Sequence, residues 1–225
     1  MNLVVVAHPD DEVLGFGATG AVLTASGDEV QALLLCGKAD VRTRRPSDIE
    51  LLEDCREAQE RLGFREPILE DFPNIRFNTV PHVELVQAIE RVILDIKPAR
   101  IFTHSPGDLN DDHGQVAKAC LAAARLSQRR TDLPGLRGVY LMEIPSATDW
   151  SFAGTAPTFV PDTFIEVGAT IDRKIDALSC YRDVMRPYPH PRSEEAIRAL
   201  AVSRGAQAGL NYAEAFQAVY STALA

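Results

Sequence analysis

The sequence predicts an α/β domain in which a parallel sheet is covered by helices on both faces, the doubly wound arrangement. Short apolar runs rich in β-branched residues, typical of buried parallel strands, occupy residues 3–7, 30–36, 67–70 and 100–104. Helical periodicities lie between these runs, and this alternation implies right-handed crossovers between parallel strands. We therefore expect a Rossmann-like sheet.

The helices are predicted from their end signals and their apolar stripes. Ser47 and Glu50 form a capping box that opens a helix ending at Gly63. An apolar stripe over residues 81–96 predicts the next helix, which a Lys-Pro pair stops. A third helix begins near Asp112.

After about residue 133 the pattern changes. Two strand-like runs, 138–142 and 163–167, are followed by helices near 171–185 and 193–204. No linker composition or internal repeat separates this part from the rest. We expect one domain over residues 1–225, with the last part forming a cap or an edge extension.

Composition and charge exclude several classes of protein. Apolar residues make up 46% and charged residues 24% of the 225, which is ordinary for a globular domain. The formal net charge of −9 repels polyanions, and the basic run at 42–45 is short and free of aromatic residues. Nucleic acid is therefore not an expected partner.

The N-terminus and the cysteines bear on location and on metal ligands. The N-terminal apolar run stops at His8, too short for a signal-peptide core or a membrane span, so we expect a cytoplasmic protein. The four cysteines form no CxxC pair, which suits small buried side chains. Any metal site must then use histidine and carboxylate.

Two polar clusters directly follow predicted strands. Ala-His-Pro-Asp-Asp-Glu, residues 7–12, follows the first strand, and Thr-His-Ser-Pro-Gly-Asp-Leu-Asn-Asp-Asp-His, residues 103–113, overlaps the end of the fourth. In a doubly wound sheet these strands are neighbours at the switch point, beyond whose carboxyl ends ligands bind. We therefore expect the two clusters to meet.

The combined cluster has the composition of a catalytic zinc site. Catalytic zinc takes three nitrogen or oxygen ligands and keeps a position for water, a count that His8, Asp11 and His113 meet. With two histidines and one aspartate, the ion keeps enough positive charge to acidify that water, and Asp10 is placed to take the proton. His113 falls in the first turn of a helix, whose dipole favours the neutral imidazole.

Simpler interpretations of the same residues exist. An Asp-Asp-Glu at a helix start often only caps the helix, and a lone histidine after a strand is usually a loop or core residue. The glycines at 15, 17 and 20 do not form GxGxxG and more plausibly allow close helix packing, so a nucleotide-dependent enzyme is disfavoured. It is the combination of the two clusters that predicts a metal site.

At these residues the sequence resembles the PIG-L/LmbE-like N-acetylglucosaminyl deacetylases, which include enzymes of glycosylphosphatidylinositol, mycothiol and bacillithiol biosynthesis. The resemblance implies that His8, Asp11 and His113 bind Zn²⁺, or another divalent ion such as Fe²⁺, and that Asp10 is the general base. It also implies that Asp112 supports the site. Glu12 is expected to support the site or to cap the helix.

The later motif departs from that of the thiol-biosynthesis branch. Asn110 stands where that branch has an oxyanion-stabilising histidine, and Asp108 stands where it has tyrosine. An asparagine amide donates hydrogen bonds but is no acid, so the proton donor is protonated Asp10, which we prefer, or else His104 or His190. The predicted substrate contacts are Arg76, Asp108, His190 and Arg192, because arginine suits the oxygen acceptors of a sugar or phosphate. For Arg76, His190 and Arg192, a solvent-exposed surface charge is the alternative interpretation.

The expected activity is hydrolytic removal of an acetyl group from an N-acetylglucosamine-type sugar or sugar conjugate, releasing acetate and a free amine. The expected partner is this small molecule. The sequence neither predicts nor excludes association into a homo-oligomer. Two alternatives also remain open. The ligands and base suit hydrolysis of another amide or an ester, and a catalytically silent sugar-binding protein would retain the same fold.

Overall fold

A computed structural model of the chain describes residues 1–38, 46–152, 154 and 156–222, and the basic run at 42–45 lies outside them. Seven strands form one sheet in the order β3-β2-β1-β4-β5-β7-β6. Their bounds are Asn2–Val6 (β1), Val30–Leu34 (β2), Ile68–Leu69 (β3), Arg100–His104 (β4), Gly138–Met142 (β5), Thr163–Glu166 (β6) and Ala213–Ser221 (β7).

Seven helices surround this sheet in the described part of the chain. They are Asp11–Ala25 (α1), Asp48–Leu62 (α2), His82–Ile96 (α3), Asp111–Ala124 (α4), Leu126–Arg129 (α5), Ile171–Cys180 (α6) and Glu194–Ala208 (α7). Ser47 and Glu50 form the predicted capping box, and Gly63 ends α2 in the left-handed conformation. The helix predicted over 171–185 is shorter and ends at Cys180.

Each face of the sheet carries its own core. In β1, Val4 and Val6 pack with α1, α2 and α6, whereas Leu3 and Val5 pack on the opposite side with α3 and α4. All five residues of β1 are buried, because a central parallel strand has helices on both faces. The predicted doubly wound α/β fold is thereby confirmed.

The sheet is mixed, which the sequence pattern did not predict. Strands β3, β2, β1, β4 and β5 are parallel, but β7 pairs antiparallel with both β5 and β6. The run 213–221 is alanine-rich and was not identified as a strand. The expected edge extension is therefore a pair of antiparallel strands added to the same sheet.

Helix α1, which follows the first polar cluster, lies deep in the protein. Gly20 permits this, since a Cβ there would lie 2.2 Å from a Phe64 ring atom. A buried ion pair also contacts the middle of the helix: Lys174 Nζ lies 2.7 Å from Glu214 Oε1 and donates to the carbonyl of Leu14 at 2.6 Å. The Glu214 carboxylate accepts from the Thr19 amide at 2.7 Å.

Candidate metal centre

The two polar clusters meet at the carboxyl ends of β1 and β4, which pair in parallel. Asp11 Oδ2 lies 3.3 Å from His8 Nδ1 and 3.2 Å from His113 Nε2. One ligand atom from each of these three residues falls within 4.8 Å of the other two, and all three residues are buried. The structure thus brings together the three residues that the sequence predicted as metal ligands.

The ring nitrogens that point away from Asp11 are held by two further carboxylates. His8 Nε2 lies 2.9 Å from Asp112 Oδ2, and His113 Nδ1 lies 2.9 Å from Asp108 Oδ2. Asp112 is fixed in turn by the backbone amides of Ile75 and Phe77, at 2.7 and 3.0 Å. A histidine that ligates a metal usually donates its other ring nitrogen to such a carboxylate, which sets the ring orientation.

The charges of the cluster favour a cation. Burial alone would lower the pKa of His113, but the Asp11 and Asp108 carboxylates outweigh it and raise that pKa to about 10. Burial likewise acts to lower the pKa of His8, but the hydrogen bonds with Asp11 and Asp112 outweigh burial, so the pKa of His8 is raised. At His113, the Asp11 and Asp108 carboxylates act against the helix dipole, which is expected to favour the neutral imidazole that a metal requires.

The donor set fits a divalent cation of the zinc type. Two imidazole nitrogens converge on one carboxylate oxygen, the kind of nitrogen and oxygen donor set that zinc accepts. Among the described residues a second candidate group, His104, Asp108 and His113, shares His113 with the first, and neither group includes a cysteine. Nitrogen and oxygen donors suit Zn²⁺ and Fe²⁺ alike.

Asp10 lies beside these ligands in a strained backbone conformation. It precedes α1 with φ 105° and ψ −29°, a left-handed geometry that non-glycine residues rarely adopt. Its amide donates to Glu12 Oε2 at 3.1 Å, and its carboxylate Oδ2 lies 3.3 Å from Arg192 Nη1. Two separate contacts therefore hold the predicted base in position.

Glu12 belongs to a buried network behind Asp10. Its Oε1 accepts from Gln59 Nε2 at 3.0 Å and from the Tyr181 hydroxyl. Burial raises the pKa of Glu12 to about 8, although the hydrogen bond from Tyr181 acts in the opposite direction. Glu12, which the sequence predicts to support the site or to cap the helix, thus contacts the Asp10 amide and two residues distant in sequence, Gln59 and Tyr181.

His104 occupies the floor of the site, where its side chain is fully buried. Its Nε2 accepts a hydrogen bond from the Ala7 amide at 2.9 Å, and its ring stacks on His113 with centroids 3.9 Å apart. Burial, followed by the positive charge of His113, lowers the pKa of His104 well below its usual range. This geometry argues against the alternative in which His104 supplies a proton to a substrate.

The remaining predicted site residues are distributed around this centre. Asn110 caps α4, where its Oδ1 accepts from the Asp112 amide at 3.1 Å, which leaves its amide NH₂ as a donor. Arg76 is exposed at the start of the turn 77–79, close in sequence to the amides that bind Asp112. His190 contacts the Trp150 ring with centroids 5.3 Å apart.

Asp108 and Arg192, both predicted as substrate contacts, also contact residues of the centre itself. Asp108 is buried, and its two oxygens contact His113 and the Thr148 hydroxyl, the latter at 2.6 Å. Both oxygens of Asp108 are thus engaged within the protein. Arg192 contacts Asp10 and also donates to Ser146 Oγ at 2.9 Å.

Sequence reasoning did not identify Gln59, Ser146, Thr148 or Tyr181. Gln59, Thr148 and Tyr181 each form a hydrogen bond to a residue of the two motifs. Ser146 accepts a hydrogen bond from Arg192, which contacts Asp10 in turn. These residues lie outside the two motifs and form no spacing pattern of their own. Only tertiary packing reveals them.

Comparison with known proteins gives consistent results. The sequence model of the family described as PIG-L, GlcNAc-PI de-N-acetylase, matches residues 3–124, more than half of the chain. An Escherichia coli K12 protein described as the uncharacterized deacetylase YaiS is 28% identical over 128 residues, 55% of this chain and 67% of that protein.

Two solved structures share the fold. N,N′-diacetylchitobiose deacetylase from Pyrococcus horikoshii has a TM-score of 0.79 at 18% identity, covering 97% of this chain and 83% of that one. GalB, the 4-carboxy-2-hydroxymuconate hydratase from Pseudomonas putida KT2440, also has a TM-score of 0.79, at 20% identity, covering 100% and 98%. Among the described residues, no helix is long and apolar enough to cross a membrane.

Proposed function

The chain belongs to the PIG-L family, and on that premise we propose that it is a metal-dependent hydrolase that removes the acetyl group from an N-acetylglucosamine-type sugar or sugar conjugate. One observation carries the proposal. His8, Asp11 and His113 converge on a single point, each imidazole is oriented by its own carboxylate, and Asp10 lies beside them.

His8 Nδ1, Asp11 and His113 Nε2 would hold the ion, Zn²⁺ or a similar divalent cation such as Fe²⁺. When bound, such an ion acts as a Lewis acid that polarises an amide carbonyl and makes water more acidic. Asp108 and Asp112 keep the two imidazoles in the orientation that ligation requires. Asp11 presents its carboxylate from the first turn of the buried helix α1.

Asp10 moves the proton in this proposal. Its carboxylate accepts a proton from the attacking water and then returns it to the sugar nitrogen, so that acetate and a free amine leave. Arg192 Nη1, 3.3 Å from Asp10 Oδ2, steers that carboxylate, and the strained backbone at Asp10 fixes its approach. The buried, neutral His104 cannot replace it.

Asn110 is the proposed donor to the developing oxyanion. Its Oδ1 is occupied by the α4 cap, so the amide NH₂ is the group that remains for a substrate oxygen. Arg76 and His190 are proposed substrate contacts at the edge of the site. His190 would act as a neutral ring, because burial and the nearby Arg192 and Arg186 lower its pKa.

Two other functions remain as alternatives. The same ligands and base suit another amide or an ester, and a silent sugar-binding protein would keep the ligands without turnover. The fold does not decide between them, since one protein that shares it is a hydratase.

The test is acetate release from a panel of N-acetylated sugars, N-acetylated amino acids and simple acetate esters, with the zinc- or iron-loaded protein. We expect release from the sugars and its loss in Asp10→Asn at unchanged metal content. Asp111→Asn is the matched control, because Asp111 is an exposed neighbouring aspartate outside the centre. Full activity in Asp10→Asn, or no sugar turnover by the loaded protein, would overturn the proposal.

A further inference from the structure

A buried network of Glu12, Gln59 and Tyr181 lies behind Asp10 and has no role in the mechanism above. Asp10 has φ 105°, a left-handed conformation that a non-glycine residue keeps only where its surroundings enforce it. We propose that Tyr181 and Gln59 are positioning residues for the base. Acting through Glu12, they hold the Asp10 main chain in the conformation that places its carboxylate beside the metal ligands. This inference rests on the proposed function.

The orientation of the Glu12 carboxylate depends on its partners. Rotation about the bond that carries a carboxylate is broad, so hydrogen bonds rather than a rotamer decide where its two oxygens point. Oε2 accepts from the Asp10 amide at 3.1 Å. Oε1 accepts from Gln59 Nε2 at 3.0 Å and from the Tyr181 hydroxyl. The two donors on Oε1 therefore fix the position of Oε2, the oxygen that contacts Asp10.

The Tyr181 hydroxyl keeps its proton in this position. Burial, followed by the negative charge of Glu12, raises the pKa of Tyr181 well above its usual range. Both side chains are shielded from solvent, since Tyr181 is 3% exposed and Glu12 is fully buried. A hydrogen bond is stronger in such surroundings, because the local dielectric constant is low. Tyr181 therefore supplies a strong donor to the carboxylate that contacts the base.

Both donors are carried by helices that pack on the same face of the sheet as α1. Gln59 lies in α2, and Tyr181 directly follows the last residue of α6. The Arg182 amide donates to Asp54 Oδ2 at 3.1 Å, which connects the end of α6 to α2. The positions of the two donors are therefore set by the packing of two helices, and through Glu12 this packing reaches the turn at Asp10.

Glu12 and Arg192 hold different parts of Asp10. Glu12 contacts the backbone amide, whereas Arg192 Nη1 lies 3.3 Å from the carboxylate oxygen Oδ2. Loss of Arg192 frees the side chain of the base, but loss of the donors to Glu12 frees the main chain that carries it. A displacement of about 1 Å can lower a rate by roughly 100-fold, so either loss should slow the proton transfer. The Asp10 amide distinguishes the two cases.

Hydrogen exchange of the Asp10 amide tests the network without catalysis. The exchange rate is followed by NMR in the metal-free full chain and in its variants Tyr181→Phe and Gln59→Met, each of which removes one donor and keeps a side chain of similar size. We expect exchange at Asp10 to become about five- to tenfold faster in each variant, because the hydrogen bond to Glu12 opens more often. In Arg192→Ala the rate should not change, since Arg192 contacts the Asp10 side chain.

Steady-state kinetics connect the network to the base. Tyr181→Phe and Gln59→Met should each lower kcat for the N-acetylated sugar that is hydrolysed best by roughly tenfold, with KM and zinc affinity unchanged, because metal ligands and substrate contacts stay in place. A residue that only stabilised the fold would leave the kcat of the folded protein intact. Tyr220→Phe is the matched control, because that hydroxyl contacts Gln128 near the amino end of β5, away from the centre. It should change neither kcat nor the exchange of Asp10.

Failure of the positioning role and failure of the proposed function give different results. Acetate release with unchanged kcat in both Tyr181→Phe and Gln59→Met, or unchanged exchange of Asp10 in both, would overturn the positioning role and leave the deacetylase. A rise in KM alone would also overturn it. Faster exchange of Asp10 in both variants of a protein that releases no acetate from any sugar would support the network and overturn the deacetylase.

Discussion

The Asp112 carboxylate lies 2.9 Å from Nε2 of His8 and so fixes which nitrogen of that ring is available to a metal. With Nε2 engaged, Nδ1 is the atom that faces Asp11, at 3.3 Å. The same carboxylate accepts the amides of Ile75 and Phe77, so the turn at 75–77 is connected to the metal centre. The orientation of His8 thus depends on a segment outside both sequence motifs.

Asp112→Asn is expected to weaken zinc or iron binding by about 10- to 100-fold while the fold is retained, because loss of an orienting carboxylate typically has this effect. The measurement is competition against a chelator of known affinity. Asp111→Asn, one residue earlier and exposed, should bind the metal normally. Equal affinities in the two variants would contradict the role assigned to Asp112.

Metal binding is expected to release protons. Since the Asp11 and Asp108 carboxylates raise the pKa of His113 to about 10, this ring carries a proton at pH 7 that a cation must displace. The affinity for zinc should therefore rise with pH between 6 and 9, by about tenfold per pH unit for each proton displaced. Titration calorimetry in buffers of different ionisation enthalpy counts the protons. An affinity that is independent of pH would contradict this charge state.

Arg192 is expected to act through Asp10. Arg192→Ala frees the Asp10 carboxylate from a partner 3.3 Å away, and kcat should fall by roughly 10- to 100-fold as the base loses its orientation. Arg192→Lys should recover part of that loss, because it keeps a positive charge near the base. Steady-state kinetics separate this role from substrate binding. If only KM rises, Arg192 is a substrate contact, as the sequence predicted.

The buried pair Lys174–Glu214 is expected to stabilise the protein through α1. Lys174→Met leaves the buried Glu214 carboxylate without its positive partner. The free energy of unfolding, measured with urea, should therefore fall by about 3–5 kcal/mol. The double variant Lys174→Met/Glu214→Gln should lose less, since no lone charge remains buried. Arg61→Met breaks the exposed pair with Glu57 and serves as a control that should lose nothing measurable. An equal fall in the free energy of unfolding in Lys174→Met and Arg61→Met would contradict this prediction.

The architecture and the centre of the site follow from periodicity and motif position alone. Strand and helix periodicities predicted the doubly wound sheet, and the carboxyl ends of neighbouring parallel strands necessarily lie at one edge. That rule predicts that His8, Asp11 and His113 meet, and the structure places their ligand atoms within 4.8 Å of one another.

The contacts around that centre depend on tertiary packing. The role of Asp108, the contact of Arg192 with Asp10 and the position of Tyr181 arise from side chains that meet across as many as 182 positions of sequence. Such contacts leave no local periodicity or spacing, because they depend on how separate loops pack. For the same reason β7 was missed: its alanine-rich segment is a strand through its pairing with β5 and β6.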